Sequence, residues 1–326
     1  MPVAHIGHAE LCVTDLEASR EFFTDLMGLF VTEETDDRVY LRAWQDFDHH
    51  TLVLRRAAES GVEHIGWRVE SEGELRRIGG RLRELGVEFS WSAGEAERGH
   101  GDSLRFLTPQ GIPTELYWEV ERFVEADPSM VSKLASHPQR YTGHGIAPRR
   151  FDHVNFLADD VAAEQQWLTE VLGIHHRYFV EADSGERLGS WLSRTNVSHE
   201  IALMRNESQS GTKLHHVGYY LESPTELIRA ATILADAGIE IEWGPGQHGT
   251  SGAIFLYCFE PSGNRIEVWT GGFLIFAPDW EPIRWDPENG RLGLEMWGSK
   301  RPDTYFTYGT APVLTDAAAT TGSSVS

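Results

Sequence analysis

Two imidazoles and a carboxylate, His153, His216 and Glu267, lie on segments with strand-like patterning, the last close behind Glu260-Pro261-Ser262-Gly263. Two neutral nitrogens and one anionic oxygen on one side of a metal hold iron(II) and leave other positions open for oxygen chemistry. Residues so far apart meet only if the fold makes neighbours of their strands.

An internal repeat supplies that arrangement. At a spacing of 145 residues, His8, Asp15, Thr24 and Gly28 fall on His153, Asp160, Thr169 and Gly173, with Phe22 on Trp167. At a spacing of 152, His64, Gly66, Trp67, Glu70 and Ser71 fall on His216, Gly218, Tyr219, Glu222 and Ser223. The second spacing continues without a gap through Gly86, Trp91, Pro109, Gly111 and Glu115, which fall on Gly238, Trp243, Pro261, Gly263 and Glu267.

Each half therefore reads as two strand, helix, strands units. Asp15 and Asp160 are N-caps of amphipathic helices that stop at glycine, the second with the stripe Trp167, Leu168, Val171 and Leu172. Ser71 to Glu74 and Ser223 to Glu226 read as capping boxes, and Gly86 and Gly238 end the helices that follow. Strands are expected at Val87 to Trp91, Leu104 to Leu107 and Glu115 to Glu119, and at Ile239 to Trp243, Ile254 to Phe259 and Arg265 to Trp269. The fold class is α+β, with a first domain over 1–120, a helical or irregular connector over 121–149 and a second, metal-binding domain over 150–272. Residues 273–326 are expected to cover the site, loop-like and rich in Trp, Pro and Asp from Phe273 to Trp297, and the last dozen, with only three alanines and one valine as apolar content, are expected to be disordered.

A chain of 326 residues with 40% hydrophobic content and 11 tryptophans suits two domains with ample core. There is no apolar run of eighteen residues and no secretory start, so a cytoplasmic protein is expected. Cys12 and Cys258 give no disulfide framework. A formal net charge of −22 repels nucleic-acid phosphates and anionic membranes.

The segments Gly246-Gln247-His248, Leu256-Tyr257, Glu260-Pro261-Ser262-Gly263 and Glu267 resemble the signature of the type I extradiol ring-cleaving dioxygenases of the vicinal oxygen chelate superfamily. Gly7-His8-Ala9-Glu10-Leu11, Phe151-Asp152-His153 and Leu214-His215-His216-Val217 are similar to the catechol 2,3-dioxygenase and homoprotocatechuate 2,3-dioxygenase branches. The resemblance implies the glyoxalase-like fold, two domains each of two βαβββ modules, and a homotetramer. It implies extradiol cleavage of a catechol by dioxygen to a 2-hydroxymuconic semialdehyde.

By that resemblance His153, His216 and Glu267 bind iron(II), or in a few members manganese(II). His216 rather than His215 is the ligand, because it aligns with His64 and precedes Val217 as His153 precedes Val154, while His215 points to the other face of the strand. Gly218, two residues on, leaves room beside the metal. The proton-transferring role falls on His199, a histidine being suited to give and take a proton near neutrality. Tyr257 and His248 match hydrogen-bond donors to substrate and oxygen. Asn155, Trp191 and Trp243 are expected along the substrate and oxygen pocket.

Homoprotocatechuate enzymes place an Arg where this chain has Trp243, and paired arginines where it has Arg291 followed by Leu292. Without those cations a buried carboxylate would go unpaired, which implies catechol or an uncharged alkyl- or chlorocatechol. In the first half, His8, His64 and Glu115 occupy the repeat positions of the ligands, but Arg105 stands where Tyr257 would and His199 has no clear counterpart. That trio is therefore expected to be a hydrogen-bonded vestige. Metal-dependent isomerases and metal-free binding proteins share the architecture. The former typically draw a fourth protein ligand and the latter need no ligand trio.

Overall fold

A computed structural model describes residues 3–94 and 96–314, and the last dozen residues, expected to be unordered, lie outside the described residues. In the first half, β1 (Val3–Val13), α1 (Leu16–Glu21), β2 (Phe30–Glu34), β3 (Arg38–Arg42) and β4 (Leu52–Arg56) make one unit. The next unit is β5 (Gly61–Val69), α2 (Glu72–Glu84), β6 (Phe89–Ser92), β7 (Ser103–Leu107) and β8 (Pro113–Tyr117). They share one sheet in the order β2-β3-β4-β1-β5-β8-β7-β6. The leading strands β1 and β5 pair antiparallel at its centre, and each is flanked by the last strand of its own unit, running parallel.

The second half repeats the plan with β9 (Arg150–Ala158), α3 (Val161–Trp167), β10 (His175–Glu181), β11 (Arg187–Ser193) and β12 (Ile201–Arg205). Its other unit is β13 (Lys213–Tyr220), α4 (Pro224–Asp236), β14 (Ile241–Gln247), β15 (Ile254–Phe259) and β16 (Arg265–Thr270). The sheet order is β14-β15-β16-β13-β9-β12-β11-β10, extended at the β10 edge by β17 (Ile283–Trp285). This is the glyoxalase-like α+β architecture of paired βαβββ modules.

Period-two alternation sorts each central strand into a helix-facing and a site-facing set. On β9, Val154, Phe156 and Ala158 enter the main core with Leu168 and Leu172, while Leu157 joins Phe255, Tyr257, Trp269 and Tyr305 in a second cluster. Asp15 and Asp160 cap their helices through the N–H groups of Ala18 and Ala163. Both helices then widen into a π turn, Phe22–Leu26 and Leu168–Leu172, a departure from the uniform helices expected. Ser223 makes the full reciprocal capping box with Glu226, whereas Ser71 makes only half of one. Glu74, the residue that would complete it, is held 2.8 Å from Arg77 instead.

Residues 118–149 contain no named helix or strand. The stretch expected to be loop-like after Gly272 holds β17 and α5 (Pro287–Leu294). Pairing with β10 orders the strand, and the Asp286 side chain caps the helix at Asn289 N–H, 3.0 Å away. Beyond α5 the chain turns back, so that Thr310 bridges to Leu214 on β13 and Pro312 to Val62 on β5. Among the described residues no helix is long and apolar enough to cross a membrane.

Candidate metal centre

The strands β9, β13 and β16 are neighbours, and the register fixes what meets across them. Gly218 pairs with His153 on one side and with Glu267 on the other. A Cβ at Gly218 would stand 2.3 Å from the His153 ring, so only glycine leaves room for that imidazole. His216, two residues earlier, projects to the same face. His153 Nε2 lies 3.1 Å from His216 Nε2 and 2.8 Å from Glu267 Oε2, and His216 Nε2 is 3.1 Å from the same oxygen. All three side chains are buried.

The groups behind the imidazoles aim their lone pairs. His215 Nε2 lies 2.7 Å from the Tyr305 carbonyl, which can only accept, so that nitrogen carries the proton. Burial holds His215 well below the usual histidine range, so it is neutral and its Nδ1 is bare. That nitrogen is 2.6 Å from His216 Nδ1, which must therefore donate and leave His216 Nε2 as a free donor to the centre. Behind the other ligand, His153 Nδ1 donates to Asp152 at 3.1 Å.

Burial opposes a charge on His153, but hydrogen bonds to Asp152 and Glu267 outweigh it and hold the imidazole up at about 9. Burial pushes His216 down to about 4. Burial would raise the Glu267 carboxyl, yet the histidines around it keep it well below the ordinary carboxylate range. One proton on His153 Nε2 thus stands where a cation would sit, and metal binding would displace it. Glu267 Oε1 is buried without a hydrogen bond. Two imidazoles and a carboxylate turned on one point fit a divalent metal of the iron(II) or manganese(II) type.

Around this point lies a cavity lined by Asn155, Trp191, His199, His248 and Tyr257, among others. The His199 ring centroid is 4.5 Å from that of His153, and its Nδ1 is 3.1 Å from Tyr178 Oη. Burial, then the neighbouring His153, keeps it neutral well below the usual range. His248 Nδ1 donates to the Leu294 carbonyl at 2.5 Å, and its Nε2 meets Tyr257 Oη at 3.0 Å. Asn155 Oδ1 is buried without a partner, and Trp191 stacks on Tyr178 with ring centroids 4.9 Å apart.

Trp243 departs from its expected place. It is not among the cavity-lining residues but packs behind Tyr257, the rings 6.1 Å apart, and its indole N–H donates to Ser299 Oγ at 2.9 Å. On β14 it pairs with Tyr257 of the neighbouring strand, which stands between it and the ligand trio. Sequence reasoning missed Trp269, which follows Glu267 by two on the same strand face and was findable by alternation. It also missed Tyr305, Gly293 and Leu294, which line the cavity from the C-terminal segment. Nothing in their local sequence signals that position.

Residues 5–116 and 150–268 each match the Glyoxalase/Bleomycin resistance protein/Dioxygenase superfamily. The chain belongs to this superfamily. Among its members, a manganese-dependent 2,3-dihydroxybiphenyl 1,2-dioxygenase from Geobacillus genomosp. 3 is 39% identical over 298 residues, 91% of this chain and 94% of that protein. A metapyrocatechase from Geobacillus stearothermophilus is 38% identical over 315 residues, 96% of this chain and 95% of its own. Of solved superfamily structures, homoprotocatechuate 2,3-dioxygenase from Arthrobacter globiformis superposes with a TM-score of 0.85 at 30% identity, covering 96% of this chain and 93% of that one.

Proposed function

We propose that the second half of the chain is an extradiol dioxygenase that cleaves catechol, or a catechol with an uncharged substituent, beside its diol to a 2-hydroxymuconic semialdehyde. The metal is iron(II) or manganese(II), held by His153, His216 and Glu267. The observation that carries this reading is the convergence of three ligand atoms, 2.8–3.1 Å apart, on a cavity bounded by His199 and by the Tyr257–His248 pair. The named activities of the relatives support it.

A bound divalent metal supplies the electron route between ring and dioxygen. The protein's own groups do the rest. His199, neutral and buried beside His153, takes the proton of a catechol hydroxyl and returns it later in the cycle. The Leu294 carbonyl accepts from His248 Nδ1, which leaves Nε2 to accept the Tyr257 hydroxyl and hold that phenol at the cavity wall. Trp191 and Trp269 keep water from the ring. Among the described residues no Arg or Lys lines the cavity, which supports an uncharged ring over homoprotocatechuate. Only three metal-ligating groups gather there among the described residues, so a fourth-ligand isomerase centre has less support.

The test is anaerobic purification with metal analysis, then addition of catechol and air while absorbance is followed in the near-ultraviolet and violet. A yellow product with about one iron or manganese in the second half supports extradiol cleavage. A metal-loaded protein that leaves catechol unchanged would remove it.

A further inference from the structure

The first half carries a second cluster of ligating groups, more complete than the repeat implies. His8 on β1, His64 on β5 and Glu115 on β8 stand where the second half has His153, His216 and Glu267, and all are buried. His8 Nε2 lies 2.8 Å from His64 Nε2 and 3.5 Å from Glu115 Oε2, and His64 Nε2 is 3.4 Å from that oxygen. Gly66 faces the His8 ring as Gly218 faces His153, with room for no Cβ.

Two groups join them from loops. Glu97 places Oε1 3.1 Å from His8 Nε2 and Oε2 3.2 Å from His64 Nε2. At the repeat spacing of 152 its counterpart is Gly249, beside His248, so one loop brings a hydrogen-bonding histidine to one centre and a carboxylate to the other. His50 stands two residues before β4 as His199 stands two before β12, and its Nε2 is 2.9 Å from Glu97 Oε1. The counterpart of His199 that the sequence did not reveal is therefore His50.

The surrounding groups orient these donors as a metal requires. His64 Nδ1 hydrogen-bonds to the Glu63 carboxylate, turning Nε2 toward His8. Glu115 Oε1 is taken by Arg105 Nε at 2.9 Å and Ser103 Oγ at 2.7 Å, which turns Oε2 inward, where it accepts no hydrogen bond. Both ring nitrogens of buried His100, stacked on His50, also lack hydrogen-bond partners, Nδ1 lying 3.8 Å from Glu115 Oε2.

We propose that the first half binds a divalent transition metal of the zinc(II) type through His8, His64, Glu97 and Glu115. Bonds of about 2.0–2.1 Å give a tetrahedron with edges of about 3.3–3.4 Å; here the imidazole nitrogens lie 2.8 Å apart, 3.4–3.5 Å from Glu115 Oε2 and 3.1–3.2 Å from the nearer Glu97 oxygen of each. The fourth ligand closes this site, where the second half leaves its centre open. A closed set is the mark of a structural metal, so the first half stores its ion for stability while the second does chemistry.

The test uses the full chain purified without chelator and incubated with zinc(II) or cobalt(II). The wild type should carry two metal equivalents. His216→Ala/Glu267→Gln, which leaves the first half intact, should keep one, and its cobalt(II) form should show the intense visible bands of tetrahedral coordination. His64→Ala/Glu97→Gln should also carry one, with a lowered melting temperature and ring cleavage retained. Ring cleavage is read separately, so loss of that activity reading leaves this one standing. A folded His216→Ala/Glu267→Gln protein that binds neither zinc(II) nor cobalt(II) overturns the proposal, and so does a His64→Ala/Glu97→Gln protein that carries as much metal as the wild type.

Discussion

Ser19 and Glu164 occupy equivalent positions in the two halves and make reciprocal contacts across their junction. Ser19 Oγ donates to Glu260 at 2.6 Å, while Glu164 accepts the backbone N–H of Gln110 at 3.0 Å. The carboxylate sits on the loop in one contact and on the helix in the other. Burial drives the Glu164 carboxyl up to about 7, against hydrogen bonds from Thr108 and Gln110. A carboxyl raised in the fold is stabilising when protonated, so its contribution is present at low pH and is lost as pH rises from the unfolded value, about 4.5, through about 7. Glu164→Gln should be less sensitive over that window, with a gain on the order of 1–3 kcal/mol at pH 8 relative to its effect at pH 4.5. Thermal unfolding of both proteins across the range checks the sign; a variant that loses more at pH 8 refutes it.

Gly218→Ala should expel metal from the second half. The new methyl would collide with the His153 ring, which cannot retreat into the packed core. At least a tenfold loss of metal affinity is expected, with far-ultraviolet circular dichroism preserved. Metal titration of the apoprotein measures it.

Replacing His215 tests the tautomer argument. His215→Phe removes the acceptor that keeps the proton on His216 Nδ1. Loss of such a group costs about 10–100-fold in metal affinity. His215→Asn, which can still accept, should recover part of it. Equal affinities in all three proteins would show that the His216 orientation does not depend on its neighbour.

His199→Gln should leave the ligand trio and metal content intact while lowering kcat by about 10²-fold or more, the usual scale for a proton-transferring side chain. Single-turnover absorbance under limiting oxygen reads the step directly.

Substrate preference follows from the missing cation. 3-Methylcatechol and 4-methylcatechol should exceed homoprotocatechuate in kcat/KM by about tenfold or more, because a carboxylate in the cavity would have no partner. Steady-state kinetics favouring the acid would reverse that assignment.

Much of this arrangement was legible because a repeat at two spacings carries register. His153, His216 and Glu267 stand out through the repeat and the likeness to the family's signature, with strand periodicity choosing His216 over His215, and Gly218 through the need for space beside an imidazole. His50 and Glu97 escaped because loops have no period: the spacing from His50 to His199 is 149, between the two that were visible. Trp243 stands where homoprotocatechuate enzymes carry Arg, yet it packs behind Tyr257, which alternation along a single strand does not reveal. Tyr305, Gly293 and Leu294 reach the site only through long-range closure, which no local pattern encodes.

The returning segment after α5 has a consequence in time. Its Tyr305 carbonyl sets the tautomer behind His216, and its Thr310 and Pro312 clasp the ligand-bearing strands of both halves. When a ribosome has released Glu267, every ligand of both centres has already been made, yet the final clasp is still unsynthesised. A chain halted there holds every ligand yet lacks the Tyr305 carbonyl behind His216 and the Thr310 and Pro312 bridges, so its ligands are gathered before the groups that orient and clasp them.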